Sequence, residues 1–135
     1  MSAFSQLKNI TESLPLQEKL MPALFIGHGN PMNGVIDNEF SRSWKNMVKD
    51  IPKPNLILCV SAHWLTRGTS ITAMSKPKTI HDFGGFPKEM YEVQYPAPGH
   101  PGFANELHES NPEIKLDQDW GLDHGSWTVI RQMYP

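Results

Sequence analysis

One cysteine, Cys59, occurs in 135 residues, so no internal disulfide can form and no cysteine cluster can hold structural zinc. Its place inside an apolar run reads as a buried thiol in a reducing compartment. Long hydrophobic runs are missing as well. The longest, such as Leu56 to Val60, falls far short of the roughly 20 residues that cross a bilayer. The N-terminus carries no apolar stretch of the kind a secretory signal needs, and the expected location is cytoplasmic. Charge of one sign is equally scarce. Twelve Lys and Arg stand against 14 Asp and Glu, a net charge of -2 with no basic stripe, so nucleic acid and membrane surfaces are not expected partners. Gly27-His28-Gly29 is followed neither by the third glycine of a dinucleotide fingerprint nor by Lys-Ser/Thr, which leaves no phosphate cradle. Ser61 and Ser126 lie near histidines, but neither sits in a G-x-S-x-G elbow.

Against these absences stand 12 prolines, 10 glycines, 6 histidines and 4 tryptophans. The prolines and glycines imply short elements joined by defined turns. With 39% hydrophobic and 19% charged residues and no repeat or linker, the chain reads as one domain, residues 21–135, behind a polar arm, residues 1–20. Ala23-Leu24-Phe25-Ile26 reads as a buried strand feeding the loop Gly27 to Pro31. Phe40, Trp44, Met47, Val48 and Ile51 recur at helical spacing. They predict a helix over 38–51, capped by Asp37 or Asn38 and stopped by Pro52. Leu56 to Val60 predicts a second wholly apolar strand. Strand, helix, strand forms a βαβ unit, so the two strands are expected to be parallel and adjacent, in a sheet covered on both faces. Further strands are predicted at 70–74 and 114–116. One or two helical turns are predicted at 88–94, and helices at 101–110 and from 123–127 through Met133.

His28 and His63 each follow the end of a predicted buried strand. In open α/β sheets, ligands bind beyond the carboxyl ends of the strands, so adjacent parallel strands would bring both imidazoles to one edge. A metal needs such convergence, to about 2.0–2.2 Å from one ion. Each histidine could instead hydrogen-bond a loop. Asp123-His124-Gly125 offers a third candidate, in which Asp123 either orients His124 or caps a helix. His81 and Asp82 precede Phe83-Gly84-Gly85-Phe86-Pro87, a loop that could line a pocket for a flat ligand or fold as a tight turn against the core. His100 and His108 read as surface residues.

Five segments together carry a resemblance. Pro22-Ala23-Leu24-Phe25-Ile26-Gly27-His28-Gly29-Asn30-Pro31-Met32 comes first, then Val60-Ser61-Ala62-His63-Trp64 and Ile80-His81-Asp82-Phe83-Gly84-Gly85-Phe86-Pro87. Tyr95-Pro96-Ala97-Pro98-Gly99 and Gly121-Leu122-Asp123-His124-Gly125-Ser126-Trp127 complete the series. In this order they resemble the DOPA-type branch of the class III extradiol ring-cleavage dioxygenases, from about Pro22 to Pro135. The resemblance implies an α/β fold, a three-layer αβα sandwich with a largely parallel central sheet. It implies one divalent metal ion, Zn(2+) or Fe(2+), with His28 and His63 as metal ligands. His124 would be the active-site histidine facing the substrate, and His81 would lie near the mouth of the site. Phe83, Phe86 and Trp64 would wall a flat aromatic diol such as DOPA, which is opened with O2. Members of the family are about twice as long, and their remaining ligands come from the second half. The chain is therefore expected to be a partial form whose sheet is incomplete, leaving a strand edge and apolar surface that a homodimer would cover.

Two rivals differ in class. One is a non-catalytic metal- or catechol-binding fragment. The other is a hydrolase-like enzyme using Ser126 and His124.

Overall fold

The computed structural model describes residues 20–135; the N-terminal arm expected at 1–20 lies, but for Leu20, outside them. A 3-10 turn, Pro31–Gly34, follows the first glycine loop, with the Asn30 side chain accepting the Met32 N–H at 2.9 Å. Helix α1, Glu39–Met47, begins with a reciprocal cap. Asn38 Oδ1 accepts the Ser41 N–H at 3.0 Å and Ser41 Oγ accepts the Asn38 N–H at 2.9 Å. The cap falls on Asn38, one of the two residues the sequence offers. The helix ends four residues short of the predicted 51. The backbone then turns through Lys49 N–H to Asn46 O and Ile51 N–H to Val48 O, tighter bonds that bring it to Pro52, which has no N–H to continue a helix.

Strand β1, Thr69–Thr72, pairs in parallel with β2, Ile114–Asp117, in the register Thr69 with Ile114 to Thr72 with Asp117. Both were predicted within two residues. Between them lie the short helix α2, Lys88–Tyr91, and helix α3, Pro101–Ser110, which opens on proline as predicted. His100 is exposed, as read from the sequence, and its Nδ1 accepts the Phe103 N–H at 2.9 Å, capping α3. His108 is half-buried, its Nδ1 2.7 Å from Ile114 O. Helix α4, His124–Met133, closes the chain with Asp123 as its cap.

The expected βαβ unit is not formed. Residues 23–26 and 56–60 run without a ladder, and the sheet among the described residues holds β1 and β2 alone. Leu24, Phe25, Ile57, Leu58 and Val60 are exposed, and so is Cys59, which was expected to be buried. A segment apolar on both faces needs ladder partners and a cover on each side. Among the described residues, these two segments find neither. Only part of the stretch faces inward. Ile26 packs on the core of Trp44, Val129 and Met133, and the Cys59 thiol contacts Ser126 Oγ at 3.5 Å.

The best-packed part is α4. It lies against the 3-10 turn and α1, with Trp127 wholly buried. Trp127 Nε1–H donates to Ile80 O at 2.9 Å, Gln132 Nε2 to Asn33 O at 3.0 Å, and Arg131 Nη1 to Gly34 O at 2.7 Å. Gly34 must be glycine, because a Cβ there would meet the Trp127 ring at 2.9 Å. A single parallel bridge, Thr79 with Leu122, ties the entry of α4 to the chain before His81. It uses Leu122 N–H to Lys78 O and Ile80 N–H to Leu122 O, both 2.8 Å.

Candidate metal centre

Three separate segments deliver three imidazoles to one place. His28 sits between Gly27 and Gly29, and Gly29 takes the left-handed backbone (φ 62°) that turns the chain into the 3-10 turn. Asn33 Nδ2 holds the His28 carbonyl at 3.1 Å, and Asn38 holds Asn33 at 2.7 Å. His63 lies in the turn after residues 56–60, its N–H donating to Ser61 Oγ at 3.1 Å. His124 is the first residue of α4 and is only 6% exposed. Ring centroids stand 4.8 Å apart for His28 and His63, 5.0 Å for His28 and His124, and 4.1 Å for His63 and His124. One nitrogen from each ring lies within 4.8 Å of the other two. The convergence of His28 and His63, expected from two paired strands, is thus present although the strands do not pair.

Two carboxylates stand behind the histidines, each with its own task. Asp123 caps α4, as one reading of the sequence had it. Its Oδ1 accepts the Ser126 N–H at 3.0 Å, the Ser126 hydroxyl at 3.2 Å and the Ser61 hydroxyl at 2.7 Å, and its Oδ2 faces Trp120 Nε1 at 3.4 Å. Through Ser61 it also steadies the His63 backbone. It does not orient His124. That place belongs to Asp82, whose Oδ1 accepts the His124 N–H at 2.9 Å and lies 2.9 Å from His124 Nδ1. The ring contact is short but bent, and Nδ1 is buried without an aligned hydrogen-bond partner among the described residues. Burial alone would raise the Asp82 carboxyl. The hydrogen bond from the His124 backbone N–H, with the His124 ring close beside it, outweighs it and holds the carboxyl below its usual range. His28 is shifted down as well, first by burial and then by the neighbouring imidazoles His124 and His63.

The aromatic side chains divide into two groups. Phe83 packs edge-on to His124 with centroids 5.6 Å apart. Phe86 and Tyr91 stand behind it, each 5.1 Å from Phe83. His81 lies in this group, 6.1 Å from Trp127, with Nε2 2.9 Å from Val93 O. Trp64 is elsewhere, stacked on Trp120 with centroids 5.9 Å apart and ring planes within 5°. Of the proposed wall residues, Phe83 alone makes a ring contact with the histidine cluster.

The arrangement fits a divalent ion. Three donors within 4.8 Å of one another leave a point no more than about 2.8 Å from each, against about 2.0–2.1 Å for a metal–nitrogen bond. Each imidazole has under about 1 Å to move. A serine nucleophile does not fit. Ser126 is buried and its hydroxyl is spent on Asp123, so the hydrolase reading loses its first element.

Comparison with known proteins agrees with this chemistry. The family described as the catalytic LigB subunit of aromatic ring-opening dioxygenase matches residues 22–135. The chain belongs to that family. Among relatives, 4,5-DOPA dioxygenase extradiol of Escherichia coli (strain K12) is 50% identical over 129 residues, covering 93% of this chain and 48% of the relative. Its namesake in Beta vulgaris is 35% identical over 128 residues, covering 88% and 47%, and that in Mirabilis jalapa 37% over 119 residues, covering 82% and 44%. The chain spans about half the length of the curated relatives it matches.

Sequence reasoning assigned no role to Asp82, Ser61, Tyr91 or Gly125. Asp82 had a signal, a carboxylate next to His81 in a loop already singled out. Gly125 had none. A Cβ on it would come within 2.5 Å of His63 Cδ2 and 3.0 Å of Ser61 Oγ, a close approach that only the fold reveals.

Proposed function

We propose that this chain carries part of the active site of a metal-dependent extradiol dioxygenase that opens a catechol such as DOPA with O2. The observation that supports it most is the meeting of three imidazoles from segments far apart in a LigB-family chain, with Phe83 against them. His28 and His63 hold the ion, Zn(2+) or Fe(2+), and His124 faces the substrate. When bound, the ion supplies positive charge that favours a deprotonated diol and positions open to oxygen. Phe83, with Phe86 behind it, gives a flat ring an apolar surface, and His81 braces that loop through Val93 O. Trp64, stacked on Trp120 and one residue after His63, is the remaining wall residue of this reading. His124, with Asp82 at its Nδ1, takes or returns a proton at a ring nitrogen.

The finer features of this reading are a three-layer αβα sandwich with residues 21–135 as its N-terminal portion, and an arm at 1–20. A cytoplasmic location and a homodimer over the exposed apolar segments belong to it too. Among the described residues, no helix is long and apolar enough to cross a membrane.

Metal content of the purified chain tests the proposal, with His28→Ala and His63→Ala beside it. About one ion per chain, lost in both variants, is expected. An ion retained by both variants would overturn the ligand assignment. The second reading, a fragment that binds metal or catechol without turnover, is favoured by the three donors being imidazoles with no carboxylate among them. It requires bound metal with catechol-dependent oxygen uptake at background.

A further inference from the structure

We propose that Asp82 is the positioning residue of His124, fixing its ring with the proton on Nδ1 and leaving the Nε2 lone pair to the histidine cluster. The inference rests on the reading that His124 serves this site, and it adds the group that sets which of its nitrogens is available.

The two carboxylates near His124 are not interchangeable. Asp123, its neighbour in sequence, is committed to Ser61, Ser126 and Trp120. Asp82 is 42 residues away in sequence, yet a single oxygen, Oδ1, lies 2.9 Å from both the backbone nitrogen and Nδ1 of His124. That placement is built in. The Thr79–Leu122 bridge lays residues 78–80 along the approach to α4 and brings Asp82 to its first residue. Gly121 permits the approach, since a Cβ there would collide with the Lys78 backbone. Among the described residues Asp82 has no Lys or Arg partner, and its one ion-pair contact is with His124.

Among the described residues His124 Nδ1 has no aligned partner, and Asp82 Oδ1 lies within reach as an acceptor. A buried ring nitrogen left unpaired costs about 1–3 kcal/mol. A small tilt of the ring would straighten the contact. Catalytic hydrogen bonds are often bent in the free protein and tighten when the site fills. A carboxylate accepts and cannot donate, so this partner selects the Nδ1–H tautomer. An imidazole so held has its lone pair on Nε2, and this is how carboxylates set histidines at metal sites.

Long-range proton–nitrogen NMR on the metal-free chain, with nitrogen-15 in its histidines, reads the tautomer directly. His124 is expected as Nδ1–H in the wild type. In Asp82→Ala the Nε2–H form should appear, with His81 unchanged. Asp82→Asn keeps the same oxygen as an acceptor for the backbone N–H and for Nδ1 but removes its charge, so it should fold as the wild type with a weaker tautomer preference. A wild-type His124 in the Nε2–H form, which is read whether or not the variants fold, or a preference undiminished in folded Asp82→Ala, would overturn the assignment. A parallel zinc titration separates this inference from the metal reading. An Asp82-dependent tautomer in a chain that binds no zinc would leave Asp82 in its role and remove the metal proposal instead.

Discussion

Two walls meet at the histidine cluster, and they are made in different ways. His124 stands on a packed wall, where α4 is capped by Asp123, bridged through Leu122 and anchored by a wholly buried Trp127. His28 and His63 stand on an open wall of extended segments, with Val60 93% and Leu65 92% exposed. On the packed wall, side chains and backbone fix each other many times over. On the open wall, the described residues hold the histidines from inside, by Asn33 behind His28 and by Ser61 and Asp123 behind His63. The site is therefore located by the first wall and closed by the second.

The sharpest way to break this contrast is to cut each wall once. Trp127→Ala removes a buried ring and its bond to Ile80 O and should cost about 3–5 kcal/mol. Val60→Ala, on the open wall, should stay within about 0.5 kcal/mol. Urea unfolding midpoints compare them. Equal losses would mean that the open segments are packed as tightly as α4 and that the contrast is false.

Asp123 is the hinge between the walls, because one oxygen holds the start of α4 and the serine behind His63. Asp123→Ala forfeits a helix cap, about 1 kcal/mol, and strands the buried partners of the carboxylate, about 1–3 kcal/mol more. Asp123→Ser keeps the cap alone and should recover roughly the first part. If serine restored full stability, the tie to Ser61 would contribute nothing.

The packed wall is the part the sequence spells out. Periodicity, the proline at the start of α3 and the Asp before His124 mark elements whose partners are local, so α3 and α4 fall where they were read. Three of the five segments carry His28, His63 and His124, which the fold brings together. The open wall is legible only as a demand. Residues 23–26 and 56–60 announce burial on both faces, but pairing is settled by what lies on either side, and local pattern does not carry that. Asp82 was hidden for the same reason. Its partner is 42 positions away, and only the bridge between Thr79 and Leu122 brings them together.

Gly125 sharpens the contrast at the seam itself. It belongs to α4, yet the atoms that a Cβ would strike, His63 Cδ2 at 2.5 Å and Ser61 Oγ at 3.0 Å, belong to the open wall. Gly125→Ala gains up to about 1 kcal/mol of helix propensity, which the clash opposes, so stability should move little. The weaker wall yields, and His63 is pushed from its place. Zinc affinity should fall about 10–100-fold, as for other residues that support metal ligands. Unchanged affinity with a lowered unfolding midpoint would show that α4 gives way first.

A surface ion pair far from both walls supplies the smallest effect. Arg42 grips Asp37 through two bonds of 3.0 Å, but the side chains are 63% and 66% exposed. The hydrogen bond from Arg42, with its charge and that of Lys45, holds the Asp37 carboxyl below its usual range. An acid depressed in the folded state adds stability above its unfolded pKa and loses it as pH falls through the folded value. Here water and salt screen both charges, so that contribution is largely cancelled. Asp37→Asn should therefore track the wild type in unfolding midpoint from neutral pH to well below the carboxylate range. Its zinc affinity should not change either. A loss of affinity in this variant would mean that the start of α1 reaches His28 through Asn38 and Asn33, and that the open wall is braced further back than His28's own loop.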